Sequence, residues 1–100
     1  MQTQAATDAK PGFSERQEND AARIIALAAW EEYQQADCRY RTLVRALSPN
    51  PQNLLWLASM FETAASHLAR RNEKGSKWLE DRAESCRWQL SEHGFVASEA

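Results

Sequence analysis

One hundred residues make one domain with a modest core, and 43% apolar against 26% charged residues is the balance of a water-soluble globular chain. Only three glycines and three prolines occur, and no apolar run approaches the roughly 20 residues that span a bilayer. The net charge of −2 is uneven: residues 1–37 carry 3 basic and 7 acidic groups, residues 38–100 carry 9 and 7. That falls short of the basic excess expected of a protein dedicated to nucleic acid. The first residues lack the basic-then-apolar order of a signal peptide, so the cytosol is the expected compartment. Cys38 and Cys86, each alone and without Cys-x-x-Cys spacing, then read as reduced residues packed as small hydrophobes.

Residues 1–13 are small and polar with a Pro11-Gly12 breaker, which predicts a flexible lead before a single helical domain over 14–93. Ser14 is an N-cap candidate, with Gln17 three residues on to complete a capping box. From there Ala22, Ile25, Ala29, Tyr33, Ala36, Tyr40, Leu43 and Leu47 recur at steps of three and four. They predict one long first helix of about 50 Å, with a kink expected around Gln34–Asp37.

Ser48-Pro49-Asn50-Pro51 ends that helix and starts the second: Pro49 disfavours helical geometry at Ser48, Asn50 is a natural N-cap, and Pro51 suits the first helical position. The second helix is expected to bury Leu54, Leu57, Phe61, Ala64 and Leu68. The third stripe, Leu79, Ala83, Cys86 and Leu90, lies in phase with the second across eleven residues, so one uninterrupted helix through Gly75 would keep a single apolar face. A glycine followed by a capping serine is a costly choice inside a helix, which favours a break at Gly75-Ser76. The expected fold is therefore all-α, a small three-helix bundle ending at His93-Gly94, with 94–100 as a flexible tail.

The four tryptophans carry the functional signal. Trp88 stands about 180° from the Leu79–Leu90 stripe, beside Lys77, Asp81 and Glu84, and so points away from its own core. Trp56, Met60, Thr63 and His67 form a second row beside the main stripe of the second helix. Leu27 and Trp30 flank the stripe of the first helix, and Trp30 and Trp56 fit a monomer core as well as an interface. Apolar rings facing outward suit a partner, and a homodimer or partner interface is expected at Trp56, Met60, His67 and Trp88.

Nothing in the sequence assembles an active site, a cofactor site or a metal site. His93 precedes a glycine at a helix end, and His67 has no ligand at helical spacing. Glu31-Glu32 and Glu80-Asp81 are adjacent pairs that diverge around a helix, and no glycine-rich phosphate loop or Gly-x-Ser-x-Gly elbow is present. These features point away from an enzyme. An alternative is nucleic-acid binding by a basic turn, with Arg70, Arg71, Lys74 and Lys77 as phosphate contacts diluted by Glu73, Glu80 and Asp81.

Ala28-Ala29-Trp30 followed by Tyr33, and the His93-Gly94 stop after the last helix, are similar to features of small all-helical anti-CRISPR proteins carried by phages. Those proteins act on type I surveillance complexes. The resemblance implies a dimer of helical chains that inhibits by occluding a protein surface, without catalysis.

Overall fold

The computed structural model describes residues 14–92, which form four helices: α1 (Glu15–Ala29), α2 (Tyr33–Leu47), α3 (Pro51–Leu68) and α4 (Glu73–Glu92). The all-α class stands, and the count of three is corrected to four. The expected lead over 1–13, His93 and the tail over 94–100 lie outside the described residues.

The capping box forms as the sequence requires. Gln17 N–H donates to Ser14 Oγ at 3.1 Å, and Ser14 N–H donates to Gln17 Oε1 at 3.2 Å. The expected single helix over 14–47 does not form, because α1 stops at Ala29. Glu31 adopts φ 61°, and its N–H bonds Ala28 O at 3.0 Å while Glu32 N–H bonds Leu27 O at 2.8 Å. This pair of bonds is a left-handed C-terminal cap, in which glycine is the usual central residue. Here a glutamate occupies it, so the break has no compositional mark. The Gln34–Asp37 segment, where a kink was expected, lies inside α2.

Once the chain breaks, the two halves no longer share a helical phase. In α2 the stripe holds, with Ala36, Tyr40, Leu43 and Leu47 buried. In α1 the buried residues are Ala21, Ile24, Leu27 and Ala28, one position from the expected row; Ala22 is exposed, and Ile25 and Ala29 are only partly buried. Trp30, at the C-cap, is 69% exposed rather than packed in a core.

Asn50 and Pro51 open α3 as expected, although the Asn50 side chain makes no capping bond. Leu54, Leu57, Ala58, Phe61 and Ala65 are buried along it, with Ala64 and Leu68 at the margin. Helices α3 and α4 are separate, but the turn falls at 69–72, ahead of the expected break. Asn72 caps α4, its Oδ1 accepting from Gly75 N–H at 2.9 Å. Gly75 is thus the third residue of α4 and not the end of α3. Ser76 is no cap either: it is buried and donates to Ala65 O at 2.8 Å, pinning α4 to α3.

Short turns fold α1 back on α2 and α3 back on α4, and the second hairpin has the more extensive contact. The two hairpins share one core. Tyr40 of α2 ties them together: its ring lies 6.0 Å from Phe61 and 6.5 Å edge-on from Trp78, and its hydroxyl donates to Arg82 O at 3.3 Å. At the other end Asn72 Nδ2 donates to Ala29 O at 2.9 Å, joining the end of α1 to the start of α4. Among the described residues no helix is long and apolar enough to cross a membrane.

Candidate interaction surfaces

The outward face of α3 is the principal feature. Residues three, four and seven apart project from one side of a helix. Trp56 and Met60 therefore lean on the edge of the core while keeping part of their surface open. With Ser59, Thr63, Ala64 and His67 they line an open groove of about 410 Å³. A second depression of about 310 Å³ shares Trp56 and Ser59 with it and adds Gln52 and Leu55. The two run together along the helix, and among the described residues neither is lined by Asp, Glu, Lys or Arg. At the flank Glu62 is held by Arg87 of α4 through a two-point fork, Nε to Oε2 at 3.0 Å and Nη2 to Oε1 at 2.8 Å. This raises the Arg87 pKa further above its ordinary value.

Three of the four residues expected at an interface, Trp56, Met60 and His67, are thus brought into one groove. Trp88 is apart. It is 63% exposed on α4, and Leu79, Ala83, Cys86 and Leu90 are buried on the opposite side, as helical geometry requires. Leu55 belongs to the opening Leu54–Ala58, which is apolar nearly all round and assigns it to no single row, and Gln52 carries no apolar signal in the sequence.

The basic turn is divided. Arg70 and Arg71 are exposed in the turn, whereas Lys74 and Lys77 line a cleft of about 440 Å³ between the starts of α2 and α4. Tyr33 and Trp78 form its aromatic wall, stacked 6.1 Å apart at 25°. Behind Trp78, the Arg82 guanidinium sits 4.9 Å from the ring centroid and bridges to Asp37 at 3.3 Å. Glu73 and Asp81 also line the cleft, so its two lysines are matched by two carboxylates. The cleft was not legible beforehand, since Trp78 lies on no stripe and Tyr33 reads as an ordinary core position.

Cys86 is buried as expected, but Cys38 is exposed; both are free thiols. The Tyr40 hydroxyl lies 3.5 Å from Cys86 Sγ. Burial pushes the Cys86 thiol up and the Tyr40 phenol well up. A thiol held protonated in this way is a weak nucleophile. Among the described residues no group of three or more His, Cys, Asp or Glu is placed to hold a metal ion. No protein-family model matches the chain, and no curated protein or solved structure shows significant similarity to it.

Proposed function

We propose that this chain is a non-enzymatic protein-interaction module that acts by covering a surface of its partner. The observation that carries this reading is the uncharged groove along α3, where Trp56 and Met60 sit half-open beside small neighbours. The exposed Trp88 supplies a second anchor, of the residue type most enriched where binding energy concentrates. The nucleic-acid alternative is weaker, because Lys74 and Lys77 share their cleft with Glu73 and Asp81. A surface matched in this way gains little from phosphate.

The resemblance to phage anti-CRISPR proteins extends the proposal to a partner, a type I surveillance complex blocked without catalysis. Titrating a purified complex with the chain should abolish its binding to target DNA, and Trp88→Ala should weaken that inhibition by about tenfold or more. Full DNA binding at saturating chain refutes the inhibitor reading. Direct binding of the chain to DNA that collapses with rising salt would move the function to nucleic acid.

A further inference from the structure

We infer that the cleft between the starts of α2 and α4 binds a free α-amino acid with an aromatic side chain. Its ring lies on Tyr33 and Trp78, and its two charged groups meet the lysines and carboxylates of α4. The cleft shares no residue with the α3 groove, so the inference goes beyond the proposed function and stands apart from it.

The flat wall selects the side chain. Tyr33 and Trp78, both half-buried, stack 6.1 Å apart at 25° and offer near-parallel ring surface to a cleft of about 440 Å³, room enough for a small molecule. The wall is braced from within. The Arg82 guanidinium lies 4.9 Å from the Trp78 ring centroid and 5.6 Å from that of Tyr40, and its ion pair with Asp37 of α2 holds it there. A ring fixed before binding loses little freedom when a ligand arrives. The same guanidinium already draws on the indole quadrupole, which makes Trp78 a poorer seat for a second cation than for a neutral ring.

The charges select the head group. Glu73, Lys77 and Asp81 follow at steps of four along α4, each about 6 Å further along the axis, so their signs alternate down one edge of the cleft. Lys74 adds a second cation one turn before Trp78. Glu73–Lys77 and Lys77–Asp81 stand at the spacing that commonly pairs, yet none of these four side chains makes an ion pair or hydrogen bond with a described residue. An anion alone would meet the lysines but also face the carboxylates, and a cation alone would do the reverse. An uncharged ligand would strip water from the charges and pair none of them. A peptide end carries only one of the two signs. In a free α-amino acid the ammonium and carboxylate share one carbon, so both reach neighbouring opposite charges while the side chain lies along the wall.

Calorimetric titration of the full chain with L-phenylalanine tests this, with the indole N–H resonances recorded alongside. The expected result is saturable binding at one site that shifts the Trp78 signal. Phenethylamine lacks the carboxylate and 3-phenylpropionate the ammonium; each should bind at least about tenfold more weakly, having lost a charge-assisted hydrogen bond. L-leucine keeps both charges but gives up the ring, and should bind severalfold more weakly. In Lys74→Gln/Lys77→Gln, two substitutions at exposed positions, phenylalanine should bind no better than phenethylamine.

No saturable binding up to the solubility limit of phenylalanine overturns the inference. Phenethylamine or 3-phenylpropionate binding as tightly as phenylalanine also overturns it, because the cleft would then read a single charge. Leucine matching phenylalanine removes the aromatic wall from recognition, and an advantage over phenethylamine that survives in the double variant places the ligand elsewhere. Each of these results leaves the reading of the α3 groove intact.

Discussion

Gly75→Ala should destabilise this protein, although helix propensity alone says the opposite. Alanine inside a helix is favoured over glycine by about 1 kcal/mol. Gly75, however, lies where α4 meets the end of α1. A Cβ there would stand 2.9 Å from Ala28 O and 2.8 Å from Asn72 Nδ2, closer than carbon tolerates. Neither obstacle yields freely. Ala28 O is backbone and already accepts from Glu31 N–H, and Asn72 is committed at both ends, to Ala29 O and to Gly75 N–H. Moving Asn72 gives up a helix cap and an interhelical hydrogen bond, roughly 1 kcal/mol each, and moving α1 off α4 adds an overpacking cost of about 1–3 kcal/mol. Set against the propensity gain, the net loss is about 2–4 kcal/mol. Urea denaturation followed by circular dichroism measures it directly, and the thermal midpoint should fall by roughly 5 °C or more. In an Asn72→Ala background the same substitution should cost at least about 0.5 kcal/mol less, because one of the two obstructions is gone. A Gly75→Ala variant as stable as the parent, or more so, would refute the close approach of α1 and α4.

Glu31→Gly should stabilise by about 1 kcal/mol in the same melts, since it relieves a left-handed residue that carries a side chain; a loss of stability would show that Glu31 is not left-handed. Phe61→Ala should cost roughly 3–5 kcal/mol, and Trp88→Ala under about 1 kcal/mol when melted at low protein concentration; comparable losses for the two would contradict their opposite placement. Stability should fall as pH rises past about 9 and then 10. The unfolded chain ionises Cys86 and Tyr40 near their ordinary values of 9.0 and 10.0, while burial raises both in the folded chain, so the unfolded state binds fewer protons there. Urea midpoints between about pH 8 and pH 10.5 should therefore decline, less steeply above 10 in Tyr40→Phe, and a flat or rising profile would refute the buried pair.

Local chemistry made part of this fold legible in advance. The Ser14–Gln17 box, the Asn50-Pro51 start of α3 and the Leu79–Leu90 stripe each depend on residues within a turn or two, so their geometry follows from helix periodicity and backbone bonding. The outward Trp88 and the row Trp56–Met60–His67 follow from the same periodicity. What the tertiary structure decided lies where local preference is silent or contrary. Glu31 takes the left-handed turn that glycine prefers, and with α1 ended there the phase of Ile24 and Leu27 is set by packing against the other helices rather than by Tyr33. Gly75 reads as a helix end. It lies within the first turn of α4, which Asn72 caps, at a point where Ala28 and Asn72 leave no room for a side chain. Lys74 and Lys77 part from Arg70 and Arg71 because α4 starts at Glu73 and turns the two lysines toward Tyr33, forty residues away along the chain.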